Sequence, residues 1–178
     1  MLGSGEELRD LVPSQSSLLI PAPALRGTVR ALHRRHYSSA PFGVPPHITL
    51  CYPFLPPDRV DRAIIAALAD LFAATPPWEA MLDRYVRVPG VLSLTPALAS
   101  PFVALTRGIA ARFPEAPAYT APPHLSVAHS ADPRALDRMA LGLADELPLI
   151  IDVEGVWLME RANDGRWRTR HRFLLGHG

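Results

Sequence analysis

Twice in this chain a proline pair is followed by histidine, an aliphatic residue, a hydroxyl residue and a second aliphatic residue: Pro45-Pro46-His47-Ile48-Thr49-Leu50 and Pro122-Pro123-His124-Leu125-Ser126-Val127. His47 and His124 lie 77 positions apart, and each copy stands between two segments of helical periodicity, so the chain reads as two related lobes. The proline pair ends any preceding helix and holds the backbone extended, which makes the residues after it a strand. Side chains alternate along a strand. Histidine and hydroxyl therefore share one face, while Ile48 and Leu50, or Leu125 and Val127, occupy the other. One face serves a core and the other a site. A pseudo-twofold duplication that laid the two strands side by side would aim two imidazoles and two hydroxyls into one cleft.

The rest of the chain alternates strands, hairpins and helices. Residues 1–16 read as a loose lead-in and residues 17–176 as one domain. A strand is expected over Ser17–Ala22, a helix over Leu25–His36, and a helix over Arg59–Ala74 capped by Asp58. Trp78–Thr95 reads as a hairpin turning at Pro89-Gly90. Ser100-Pro101 opens a helix ending near Phe113, and Asp132-Pro133 caps another over Arg134–Leu147. Two long strands, Leu149–Arg161 and Arg166–Leu175, close the chain around Asn163-Asp164-Gly165, a strong hairpin turn. This is an α+β pattern without the regular strand-helix rhythm of a doubly wound parallel sheet.

Composition removes several classes of function. A length of 178 residues with 48% hydrophobic and 20% charged residues fits one folded, soluble domain. The longest apolar stretch, Ala63–Thr75, is interrupted by Asp70 and is too short to span a bilayer, so no membrane partner is expected. Glu6, Glu7 and Asp10 stand where a secretory signal would need a basic start, and Cys51 is the single cysteine, so the expected location is the cytoplasm. A net charge of +1 argues against binding a DNA duplex through an overall field. All 18 basic residues are arginine, in keeping with the abundance of alanine and proline.

Two imidazoles and two hydroxyls in one cleft match phosphodiester hydrolysis without a metal. One neutral histidine takes a proton from the attacking oxygen and the other, protonated, gives one to the leaving oxygen. A pKa of roughly 6.5 keeps both forms accessible near neutrality. Thr49 and Ser126 would donate hydrogen bonds to the non-bridging phosphate oxygens. These paired motifs resemble those of the two-histidine (2H) phosphoesterase superfamily, which includes 2′-5′ RNA ligase-like proteins and 2′,3′-cyclic phosphodiesterases. The run from Pro45 to Phe54 is similar to the first motif of the RNA ligase-like branch, as is a closing strand with Trp167 followed by Phe173-Leu174-Leu175-Gly176. The resemblance covers about Ser17 to Gly176. It implies a bilobal, duplicated α+β fold with antiparallel sheets lining a central cleft and helices packed outside. It also places catalytic roles on His47, Thr49, His124 and Ser126. The implied reaction is hydrolysis of a cyclic phosphodiester of ribose, on a small nucleotide or an RNA terminus, with no cofactor and no obligate protein partner. Ligation in the reverse sense would use the same site, and a non-catalytic RNA- or nucleotide-binding module is the alternative of another class. Two residues depart from the family pattern: Ser126 replaces the commoner threonine, and Ala128-His129 stands where many relatives carry a basic residue.

Other residues carry weaker signals. A metal site from His47, His124 and His129 is disfavoured, because a five-residue offset puts His124 and His129 on opposite faces of a continuous strand. His33 and His36 fit solvated cations at a helix C-terminus better than a phosphate grip. Cys51, four residues after His47, would share its face as a wall residue or join the core. Arg166, Arg168, Arg170 and Arg172 should share one face of the last strand, with Trp167, Thr169, His171 and Phe173 on the other, either along the cleft or guarding an exposed edge. The candidates for substrate contact are Tyr52, Arg84, Arg87, His129, Arg168 and Arg170, with Trp78 and Trp157 as further stacking candidates.

Overall fold

The computed structural model describes residues 15–176; the expected lead-in lies outside them except for its last two residues. Its strands are β1 (Ser16–Pro21), β2 (His47–Cys51), β3 (Trp78–Val88), β4 (Val91–Pro96), β5 (Leu125–His129), β6 (Leu149–Val153), β7 (Gly155–Arg161) and β8 (Trp167–Leu174). The helices are α1 (Gly27–His36), α2 (Arg62–Ala73), α3 (Ser100–Arg112) and α4 (Pro133–Ala144). All eight strands form one curled antiparallel sheet in the order β6-β3-β4-β5-β2-β1-β7-β8. The two motif strands are its central pair, joined where Ile48 faces Leu125.

This order splits the sheet into two halves related as the duplication requires. β2 has β1, β7 and β8 beyond it, and β5 has β4, β3 and β6. Two helices cross between the halves: α1 joins β1 to β2 yet lies on β5 and α4, while α3 joins β4 to β5 yet lies on β2 and α2. One apolar cluster consequently runs through both halves, with Ile48, Leu50, Leu125 and Val127 at its centre and Leu68, Phe72, Phe102 and Leu143 from the helices around them.

Two expectations change. The helix expected from Arg59 begins at Arg62, and its cap is Asp61, whose carboxylate accepts the Ile64 backbone N–H at 2.9 Å; Pro57–Arg59 forms a separate tight turn. The strand expected over Leu149–Arg161 is two strands. β6 pairs with β3 at one edge, whereas β7 crosses to pair with β1 in the other half. Gly155 permits this crossing, because a Cβ there would sit 2.3 Å from the Phe173 carbonyl oxygen.

Candidate active site

The proline pairs do more than set an extended backbone. Nδ1 of His47 lies 2.8 Å from the Pro45 carbonyl oxygen, and Nδ1 of His124 lies 2.8 Å from that of Pro122. A carbonyl can only accept, so each Nδ1 carries the proton in these contacts and each Nε2 is left for chemistry. The two halves thus orient their imidazoles by the same bond. With Ile48 opposite Leu125 in an antiparallel pair, His47 lies toward the Ser126 side and Thr49 toward the His124 side. Diagonal neighbours of this kind stand about 7–8 Å apart, and the two imidazoles are close enough to feel each other's charge.

Both motif strands bulge just after the hydroxyl residue. Leu19 pairs with Thr49 but Leu18 with Cys51, so Leu50 and Cys51 both turn into the core. On β5, Ser93 pairs with Ser126 but Leu92 with Ala128, so Val127 and Ala128 do the same. The freed carbonyls find partners: Thr106 donates to Leu50 at 3.2 Å and Ser17 to Cys51 at 3.3 Å. These bulges overturn two parity arguments. Cys51 leaves the face of His47 for the core, where burial pushes its thiol up to about 11. His129 returns to the face of Ser126, as Tyr52, five residues after His47, does in the other half.

An aromatic and histidine cluster backs His47. Tyr37 stacks on His33 with ring centroids 4.6 Å apart, meets His47 edge-on at 6.0 Å and packs on His129 at 4.8 Å. His129 also places Nδ1 2.8 Å from the Ser38 hydroxyl. His33 is only 4% exposed, and its Nε2 has no hydrogen-bond partner among the described residues; it is a buried residue and no solvated cation. Burial, aided by the charges of His47 and His129, pushes His33 down to about 4. Burial likewise takes His47 to about 4, opposed by the Pro45 carbonyl and aided by His124. His129 is lowered by burial as well. On the other side Tyr119, from the loop before β5, hydrogen-bonds Thr49, and burial raises its phenol. Ser126 lies 3.5 Å from Ser93, hydroxyl to hydroxyl.

A cavity of about 380 Å³ opens beside His47 and Thr49. It extends away from the second motif into the β1–β7–β8 half, walled by Leu19, Phe42, Tyr52, Met159, Arg161 and Trp167. The Tyr52 and Trp167 rings meet at 6.0 Å, and the Tyr52 hydroxyl donates to Gln15 at 2.7 Å. Loop 37–44 closes one side. Its Gly43, at φ +95°, has no room for a side chain, since a Cβ would lie 2.8 Å from the Trp167 carbonyl oxygen.

Of the expected substrate contacts, Tyr52 lines this cavity and His129 stands beside Tyr37. The arginines are elsewhere. Arg84 pairs with Asp83 at 3.4 Å, and Arg87 bonds Asp137 and the Pro133 carbonyl on α4. Arg168 pairs with Asp164 at 2.6 Å, and Arg170 bonds Glu160 together with the Pro57 and Val60 carbonyls. A bulge at Arg170 breaks the expected alternation of β8: Trp167 faces the cavity, Phe173 enters the core against Phe72, and Arg172 lies over Trp157 at 4.5 Å. Trp78 packs on Phe102 in the core region. Sequence reasoning missed Tyr37, Tyr119 and Arg161. Their common signal is weak, because each acquires its place through a loop or a strand crossing. Among the described residues, no group of three or more histidine, cysteine or carboxylate side chains is arranged to hold a metal, and no helix is long and apolar enough to cross a membrane.

Comparison with known proteins agrees with this architecture. TT0787 of Thermus thermophilus superposes with a TM-score of 0.61 at 20% identity, over 92% of this chain and 98% of that one. E. coli LigT in its complex with NADP+ gives 0.57 at 18% identity, with the same two coverages. A structure described as a phosphoesterase gives 0.54 at 18%, over 92% of this chain and 99% of that one. At these identities the likeness establishes the fold. No curated protein matches the sequence. The family model of the 2′-5′ RNA ligase superfamily matches residues 21–165, across both histidine motifs and the cavity wall, and the chain belongs to that superfamily.

Proposed function

We propose that this chain is a phosphoesterase that opens a cyclic phosphodiester of ribose, with His47 and His124 moving the two protons and Thr49 and Ser126 holding the phosphate oxygens. The observation that carries this reading is the symmetric pair of imidazoles, each fixed by a proline carbonyl and each with Nε2 left free beside a hydroxyl residue. A binding module needs no such matched pair. The complexes of E. coli LigT with NADP+ and 3′-AMP lend support, since both ligands are nucleotides.

The position of the cavity supports a division of roles. It borders His47 and Thr49, so the nucleoside and its leaving ribose oxygen lie with His47. In-line displacement then brings water in from the opposite side, where His124 accepts its proton. Before substrate binds, burial holds His47 neutral. The phosphate arriving beside it favours the protonated form, so the acid is charged by its own substrate. Tyr52 and Trp167 flank the space for the base.

Turnover of 2′,3′-cyclic nucleotides and 2′-5′ dinucleotides tests the proposal, with identification of the ribose oxygen that keeps the phosphate. Opening of the cyclic ester, unaffected by chelator, is expected. Joining of two RNA ends without hydrolysis would favour the ligase direction, and binding with no turnover of any of these substrates would sink the enzymatic reading.

A further inference from the structure

Arg161 differs from two other arginines of its hairpin. Arg168 and Arg170 are held by Asp164 and Glu160. The Arg161 backbone N–H is bonded to the Gln15 carbonyl, yet its guanidinium has no partner among the described residues. It is half-buried, faces Trp167 directly across β7 and β8, and lines the cavity. Gly165 beside it carries no side chain; a Cβ there would come 3.9 Å from its Nη2. It therefore stands at the end of the cavity that lies nearest the hairpin turn.

Its distance from the chemistry is about one nucleoside. Thr49 pairs with Leu19, and Leu19 with Trp157, so Arg161 is four residues along β7 from the row of Thr49. That is about 13 Å of strand, part of which the arginine side chain spans. A half-buried guanidinium with no partner among the described residues is suited to a planar, multiply accepting anion. We propose that Arg161 binds a second phosphate, the one 5′ to the nucleoside in the cavity, and so selects substrates that carry it. This inference rests on the cyclic phosphoesterase reading and adds a second phosphate contact and the residue that makes it.

Three substrates decide the matter: adenosine 2′,3′-cyclic phosphate, the same compound with a 5′-phosphate, and a diadenosine ribonucleotide ending in a 2′,3′-cyclic phosphate. A charge-assisted contact is expected to raise kcat/KM for the dinucleotide about 10- to 100-fold over the unphosphorylated mononucleotide. In Arg161→Met that ratio should fall to within about threefold of unity, and Arg161→Lys should retain part of it through charge alone. Dissociation constants for the corresponding ring-opened 2′- and 3′-phosphates, measured on the same three proteins, give a readout that needs no turnover. A wild-type ratio near unity in both measurements, or one that Arg161→Met leaves intact, overturns the proposal. A gain for the dinucleotide that the 5′-phosphorylated mononucleotide does not share would come from the added nucleoside and overturns the proposal. Absence of turnover with an Arg161-dependent binding ratio supports the second phosphate site while the hydrolytic reading fails; turnover without the ratio does the reverse.

Discussion

His47 and His124 should each lose about 10²- to 10⁴-fold in turnover when replaced by alanine, as expected for proton-transfer groups. Thr49→Val and Ser126→Ala should cost about 10- to 10³-fold, read on the best cyclic substrate. The double histidine variant should fall far short of the product of the singles, because both protons serve one transition state. Near-full activity of either single variant would exclude this pair as the acid and base. His33 acts on stability instead. Its folded-state value of about 4 lies below the ordinary 6.5, so between these limits the unfolded chain binds more protons. Stability is full above about pH 6.5 and is lost as pH falls toward 4, by roughly 3 kcal/mol for this buried group. Urea titrations at pH 7.5 and 4.5 should show the loss, and His33→Phe should make it shallower; an unchanged slope would place the protons elsewhere. The histidines of the two motifs were legible in the sequence because a period of two needs only local spacing. The burial of His33 was not, since α1 packs on β5, a strand that follows it by nearly ninety residues.

At the scale of elements, turns and proline pairs were read well and bulges were not. The β3–β4 turn at Pro89-Gly90 and the β7–β8 turn at Asn163-Asp164-Gly165 stand where their residues place them. Bulges at Leu50, Val127 and Arg170 carry no comparable mark, because an extra residue is accommodated by the partner strand and the core. Each one inverts the alternation beyond it, which is why Cys51, His129 and the arginines of β8 departed from expectation. The split between β6 and β7 was hidden for a related reason: one apolar run served two strands in different halves. Loop 37–44 offers a test of how the cavity is closed. Gly43→Ala must place a Cβ against the Trp167 carbonyl at a positive φ. The expected cost is about 1–2 kcal/mol or more, measured by urea denaturation, along with weaker nucleotide binding. A variant as stable and as tight as wild type would show that the loop does not rest on β8.

For the whole molecule, the exchange of α1 and α3 between halves predicts a single unfolding event. Trp78 reports on one half and Trp157 with Trp167 on the other. Variants that keep only one of these reporters, the rest replaced by phenylalanine, should show coincident denaturation midpoints once each is compared with its own circular dichroism. Separate midpoints within one variant would mean that the halves open independently. The same threading has a temporal side. β2, which begins at His47, and β5, which follows directly on His124, precede β7 and β8, which carry Met159, Arg161 and Trp167. At about 5–20 residues per second, a ribosome delivers the last of these strands roughly 2–9 seconds after β5. During that interval a nascent chain holds the two histidines proposed to move protons and lacks part of the cavity wall beside them. A message cut short after β5 would therefore carry both histidine motifs and lack the β7–β8 wall of the cavity.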